Sequence, residues 1–323
     1  MIITQTPLRI SLFGGGTDLP AYYLAEGGCV LTTAIDKCIY VIAKKRFDSK
    51  LRISYTKTEL VDCTQDIQHD LIRESLRESG IGSGIEVITI GEIPSEGSGL
   101  GSSSTVTVGT LLALATYLGE NPSSEILANT ACQIELKNLK KPIGVQDQYI
   151  AAYGGIRYFE FNQDGSRTNI KLSPTLSAMR TLNDNLMLFY TGQSRKAESI
   201  LSEQNQNIGN KLFSLRLLKQ LTSRVYSDLL LGNLSGFGEA LHESWKIKRD
   251  LASGVTDGRI DLIYERARKA GAEGGKLCGA GGGGFMLLYV PHEKQDSVRA
   301  ALSPLQEMPF NINAPGARVI LNY

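Results

Sequence analysis

Between a segment that reads as a strand, Ile85 to Ile93, and a helix predicted from Ser102, the chain runs Pro94-Ser95-Glu96-Gly97-Ser98-Gly99-Leu100-Gly101-Ser102-Ser103-Ser104. The strand reading rests on the alternation Ile-Glu-Val-Ile-Thr-Ile-Gly-Glu-Ile, apolar then polar as on a half-buried sheet. Glycines at such a junction let the backbone approach an anion and turn several N–H groups inward, and the helix N-terminus adds partial positive charge. The segment is therefore expected to cradle phosphate; the bland alternative is a flexible turn without a ligand. A Walker loop needs lysine and a hydroxyl residue directly after its last glycine, and no lysine follows these glycines. The stretch Gly271 to Leu277 contains Gly275-Lys276, but with the wrong spacing and no hydroxyl after the lysine. A dinucleotide fingerprint fits poorly as well: Ser104 stands where the third glycine belongs, and Glu120 ends a helix, not a strand.

Composition narrows what the phosphate belongs to. The chain has 323 residues, 42% hydrophobic and 21% charged, as expected of a globular protein with one large or two ordinary domains. Lys+Arg 34 against Asp+Glu 33 leaves a net charge of +1, so there is no overall field to hold a nucleic acid or an anionic membrane. Any anion must be held by a local site. The N-terminus lacks the basic start and apolar stretch of a signal peptide. The most apolar later segment, Val106 to Leu118, is broken by Thr107, Gly109, Thr110 and Thr116, and predicts a buried helix, not a membrane span. Cys29, Cys38, Cys63, Cys132 and Cys278 are scattered without a CxxC pair, so neither a zinc cage nor a disulfide framework is expected, and a reducing cytoplasm fits. His69, His242 and His292 have no metal-ligand spacing.

The first half alternates strands with helices. Strands are expected at Ile35 to Lys44 and Leu51 to Tyr55, and a helix at Asp66 to Ser79. Asn121-Pro122 is expected to start a helix that ends at Lys137, Lys140, Lys141 and Pro142, the basic run favouring its C-terminus. Ile156 to Phe161 and Thr168 to Leu172 flank Asn162-Gln163-Asp164-Gly165 as a hairpin. A strand at Asn185 to Tyr190 is followed by a mainly helical stretch, Ser194 to Ala252, opening a second domain; the boundary falls around 165 to 185. A strand Phe285 to Val290, a helix from about Glu293 to Leu302 and a strand Ala317 to Leu321 close the chain.

Two further glycine clusters and two acidic residues stand out. Pro7 to Pro20 contains an apolar strand that delivers Arg9 and ends in Gly14-Gly15-Gly16-Thr17-Asp18. A guanidinium amid apolar neighbours needs an anionic partner, and Thr17 and Asp18 suit a polyol, although alone this is equally a surface turn. Gly274 to Phe285 again runs into a strand, and alone is close backbone packing or a second anion nest. Asp147 follows a glycine turn in Gly144-Val145-Gln146-Asp147-Gln148, where a carboxylate is often only a helix cap. Glu135, mid-helix, faces solvent by default.

Together these motifs, in this order, resemble the GHMP kinases, with Pro94 to Ser104, Gly144 to Gln148 and Lys276 to Phe285 standing where the family carries its three signatures. The resemblance spans the chain. It implies an α+β two-domain fold: an N-terminal ATP-binding domain with a left-handed crossover, taken as residues 1–175, and a ferredoxin-like C-terminal domain, 176–323. It further implies that Gly97, Ser98, Gly99, Leu100, Gly101, Ser102 and Ser103 wrap the ATP phosphates, and that Ser103 and Glu135 hold Mg²⁺. Asp147 is then the base, Arg9 the cation beside it, and Gly279 to Gly283 close over phosphates and substrate. Substrate contacts are expected from Gly15, Gly16, Thr17, Asp18, Gln148, Gly281 and Gly282.

Within the family, Arg9 to Tyr23 and Gly274 to Phe285 look most like the branch that phosphorylates D-glycero-D-manno-heptose 7-phosphate on the way to a nucleotide-activated heptose. Gly15-Gly16 replaces the Glu-His of galactokinases, whereas fucose kinases share the G-G-G-T-D pattern, which keeps a neutral sugar open. So is a non-catalytic sugar sensor on the same fold, against which Asp147, Glu135 and Ser103 argue. A phosphorylated sugar needs a second anion site. Thr191 to Lys196 offers one, with Ser194 as a cap and Arg195 and Lys196 as charges; Lys276 is another candidate. The expected partners are ATP and a small sugar phosphate, without nucleic acid or membrane. A homo-oligomer is open.

Overall fold

The computed structural model describes residues 1–93, 97–193 and 197–323. The chain starts with β1 (Ile2–Phe13), a short α1 (Pro20–Glu26) and the long β2 (Gly28–Lys45), which runs back along β1. Next come β3 (Leu51–Ser54), β4 (Thr58–Val61), α2 (Asp70–Glu78) and β5 (Ile85–Gly91). The helices α3 (Ser102–Tyr117), α4 (Ser124–Cys132) and α5 (Gln146–Tyr153) follow, then the hairpin β6 (Ile156–Phe161) and β7 (Arg167–Leu172). These strands form one sheet in the order β4-β3-β5-β2-β1, with β6 and β7 joining along the first part of β2. Among the described residues only β3 and β5 pair in parallel.

The second unit has α6 (Leu176–Asn185), β8 (Leu186–Tyr190), α7 (Ala197–Asn207), α8 (Leu212–Leu230), α9 (Phe237–Arg249) and α10 (Gly258–Ala270). It closes with β9 (Gly274–Leu277), β10 (Phe285–Tyr289), α11 (Gln295–Leu302) and the two-residue β11 (Gln306–Glu307). The order β11-β8-β10-β9, antiparallel throughout, is the ferredoxin-like arrangement. The last strand, β12 (Arg318–Asn322), pairs with β1, so the end of the chain returns to the first sheet.

One strand irregularity and one close helix–sheet approach aim the site. The β1–β2 register shifts between Pro7 and Arg9, where proline has no N–H for the ladder, and a bulge of this kind redirects the next side chain. Arg9 N instead donates to Leu100 O at 3.0 Å, tying the strand to the first glycine cluster. Helix α3 is buried on nearly every side, and Gly109 lets it lie close to the sheet: a methyl there would sit 2.7 Å from Thr6 Oγ1. One apolar cluster runs from Leu8, Ile10 and Leu12 of β1 through Phe237 and Leu241 of α9 to Leu188 and Leu287 of the second sheet. The two units thus share a core, which fixes the walls of the cleft between them. Among the described residues no helix is long and apolar enough to cross a membrane.

Some expected boundaries shift. The helix expected from Asn121-Pro122 starts at Ser124, capped by Ser123 Oγ accepting from Ile126 N at 3.3 Å, and its regular part ends at Cys132. The helix expected from Asp66 begins at Asp70, behind His69, whose Nδ1 accepts from Ile72 N.

Candidate active site

At the mouth of α3 the backbone of the first glycine cluster folds back on itself. Gly97, Gly99 and Gly101 all take positive φ, and close packing explains two of them. A methyl on Gly99 would lie 2.5 Å from Cys278 O, and one on Gly101 3.1 Å from the Arg9 side chain. Among the described residues no side chain caps α3, whose first residues, Ser102 and Ser103, face the cleft. Ser98 Oγ and Ser102 Oγ lie 3.1 Å apart, and Leu100 N donates to Ser98 Oγ. Leu100 contributes backbone only, its side chain being in the core. The third glycine cluster seats directly on the first: a methyl on Gly279 would meet Gly99 Cα at 2.6 Å, and Phe285 N donates to Ser98 O. Pro94 to Glu96 lie outside the described residues.

Arg9 points from β1 into this mouth and meets Asp147 of α5 in a fork: Nε to Oδ1 and Nη2 to Oδ2, both 2.6 Å, with Nη1 donating to Gly99 O. Burial by itself would lower the guanidinium, but Asp147 more than offsets this and holds it above its ordinary value. A planar bidentate pair of this kind fixes both partners. Asp147 keeps part of its side chain exposed to the cleft.

Glu135 does not face solvent. After Cys132 the helix widens into a π turn, Gln133–Asn138, which swings Glu135 inward to full burial. Its Oε2 accepts from Ser104 Oγ at 3.0 Å, while Oε1 has no partner among the described residues. Burial pushes its pKa from 4.5 to about 7. Glu135, Ser103 and Ser104 all line the cleft. A buried carboxylate oxygen without a donor, beside an accessible hydroxyl and a phosphate cradle, fits a Mg²⁺ ion that draws its other ligands from phosphate and water.

The far end of the cleft is built by the second cluster. Asp18, buried, accepts from Gly16 N at 3.0 Å and from Gln146 Nε2 at 3.0 Å; burial raises its pKa. Gly144 is required by this carboxylate, since a methyl there would fall 1.9 Å from Asp18 Oδ2. Gly15 and Gly16 line the cleft. Thr17 does not: its single hydroxyl proton lies between Gly14 O and Cys29 O, and its Oγ1 accepts from Cys29 N, which fixes the turn. Lys276 is also displaced from its expected place. It is fully buried, donates to Ser11 O and Leu12 O, and burial carries its pKa well below the usual lysine range. Gln148 is buried in α5 away from the cleft, and Gly281 and Gly282 pack on Val255 instead of lining it. Arg195, with Ser194 and Lys196, lies outside the described residues.

Several cleft residues were given no role by the sequence: Ser11 and Gln146, although inside two of its motifs, and Lys141, Gln204 and Lys248 all line it. Lys248 sits on α9 in a basic run, but with Leu241, Ser244 and Trp245 it forms the i, i+3, i+4, i+7 face that is buried. That spacing was the available signal.

Residues 66–155 match the GHMP kinases N terminal domain and residues 225–306 the GHMP kinases C terminal. The chain belongs to the GHMP kinases: it is an ATP-binding phosphotransferase whose acceptor is a sugar hydroxyl. Among its relatives, the D-glycero-alpha-D-manno-heptose 7-phosphate kinase of Campylobacter jejuni is 30% identical over 93% of this chain and 92% of the relative. The L-fucokinase/L-fucose-1-P guanylyltransferase of Bacteroides fragilis is 28% identical over 91% of this chain but only 35% of that longer protein. A solved structure of a D-glycero-D-manno-heptose 1-phosphate kinase from Bacteroides thetaiotaomicron superposes over the full length of both chains, with a TM-score of 0.83 and 25% identity.

Proposed function

We propose that this kinase transfers the γ-phosphoryl group of ATP to the anomeric hydroxyl of D-glycero-D-manno-heptose 7-phosphate, giving the 1,7-bisphosphate. The observation that carries the reading is the forked Arg9–Asp147 pair, set between the mouth of α3 and the Asp18 end of the cleft. The choice of sugar is supported by the similarity, along nearly all of both chains, to the heptose 7-phosphate kinase of C. jejuni.

Phosphoryl transfer passes through a loose transition state in which positioning and charge neutralisation dominate. The backbone of Gly97 to Ser103 and the uncapped start of α3 hold the phosphates. Glu135 and Ser103 hold Mg²⁺, which when bound neutralises charge on the phosphate oxygens. The acceptor oxygen bonds to the γ-phosphorus as the bridging P–O bond breaks, and its proton goes to Asp147, the general base. Arg9 fixes the carboxylate plane and adds positive charge beside the transferring group. Asp18 orients the sugar.

The test is kcat/KM from ADP release for heptose 7-phosphate, unphosphorylated heptose, mannose and L-fucose. The phosphorylated heptose is expected to lead by a wide margin. Equal or better use of L-fucose overturns the choice of sugar and favours a neutral acceptor, the reading to which the L-fucokinase relative points.

A further inference from the structure

Gly15 has a negative or extended φ that any residue adopts, yet three polar atoms gather over it. A methyl at this position would lie 3.3 Å from Ser11 Oγ, 3.8 Å from Gln146 Nε2 and 3.9 Å from Lys248 Nζ. All three side chains are more than nine-tenths buried and line the cleft, although Ser11 and Gln146 belong to the first unit and Lys248 to the second. Ser11 Oγ and Gln146 Oε1 have no partner among the described residues. Lys248 Nζ, with three donors, gives one to Gly279 O. A buried ammonium and the open Ser11 hydroxyl at this point, with the buried Oε1 of the same Gln146 amide also unpartnered, cost stability unless a ligand completes them.

The charges around that point decide the ligand's class. Arg9 is paired with Asp147, and the Asp18 and Asp147 carboxylates both act on Lys248 as nearby negative charges. A phosphate dianion placed here would meet both the Asp18 and the Asp147 carboxylates. A pair of sugar hydroxyls fits: one donates to the remaining lone pair of Asp18, and the other accepts from Lys248 while donating to Ser11 or Gln146. Resting on the reading that the acceptor sugar lies at Asp18, we propose that Lys248, with Ser11 and Gln146, forms a subsite over Gly15 that holds neighbouring hydroxyls of the acceptor and not its phosphate. Lys248 is thus a substrate-contacting residue supplied by α9, which makes acceptor binding depend on both units. Burial brings its pKa down to about 8, in an environment shared with Cys278, Arg9, Asp18, Asp147 and Lys276. Deprotonation then removes its charge and one of its three N–H groups within the working pH range of an enzyme assay, leaving a neutral and weaker donor.

Two variants test this independently: Lys248→Met removes the donor, and Gly15→Ala fills the space without backbone strain. KM for ATP and for the acceptor is measured with heptose 7-phosphate and with unphosphorylated heptose. Each variant is expected to raise acceptor KM about tenfold or more, by the same factor for both sugars, with KM for ATP nearly unchanged. Wild-type kcat/KM for the acceptor should fall above about pH 8, and Lys248→Arg should remove that fall. The subsite is overturned if the loss appears only with the phosphorylated sugar, if KM for ATP rises in its place, or if a folded Gly15→Ala variant binds acceptor normally. Should the wild type use L-fucose and neither heptose, the choice of sugar fails on its own, and the same KM ratios measured on L-fucose decide the subsite.

Discussion

Glu135 should destabilise the protein when neither ion nor nucleotide is bound. Burial raises its pKa from 4.5 to about 7, which at 1.36 kcal/mol for each pH unit is about 3 kcal/mol. Because the folded chain holds the proton more tightly than the unfolded chain, the favourable contribution is complete below pH 4.5. It drains away as pH rises through 7. Glu135→Gln has nearly the same shape and can still accept from Ser104 Oγ, but it never ionises. We expect urea unfolding to show the variant gaining on the wild type between about pH 4.5 and 8, levelling off at up to about 3 kcal/mol. The same variant should lose activity and need more Mg²⁺, the pattern of a site strained for function. A stability difference that does not change with pH would refute the reasoning, because it would mean that Glu135 ionises in the folded protein as easily as in water.

Other outcomes follow from the same geometry. Asp147→Asn should retain ATP binding but lose turnover by about 10²–10⁴-fold, the range for a general base; near-normal kcat in a folded variant removes Asp147 from the mechanism. Ser103→Ala and Glu135→Ala should each raise the Mg²⁺ requirement, and the double variant should be little worse than the worse single; additive losses at saturating Mg²⁺ would assign them to separate sites. Gly144→Ala drives a methyl into Asp18 Oδ2, so acceptor KM should rise with little change for ATP, and an unchanged acceptor KM would argue that Asp18 does not touch the sugar.

Much of the site is legible in the sequence because its parts are backbone devices. A glycine cluster between a strand and a helix announces an anion cradle whatever surrounds it, and Arg9 on an apolar strand announces a buried partner, which is Asp147. Side chains whose role depends on tertiary placement are less legible. Glu135 looks solvent-facing until the π turn rotates it inward, and no local pattern in Gln133 to Asn138 signals that extra residue per turn. Thr17 and Lys276 have the right chemistry for a polyol or a phosphate, but their donors are spent on backbone carbonyls. Lys248 stands in a basic run near a helix C-terminus, a pattern that by itself is an ordinary response to the helix dipole. The return of β12 to β1 is a long-range pairing that no local signal marks.

The most direct test of the central claim is the identity of the product. Heptose 7-phosphate incubated with Mg·ATP and the enzyme should give, by phosphorus NMR, a new sugar phosphate resonance coupled to the anomeric proton, with the 7-phosphate signal retained and ADP formed in equal amount. A phosphate on another carbon, or conversion of L-fucose while the heptose stays untouched, would contradict it.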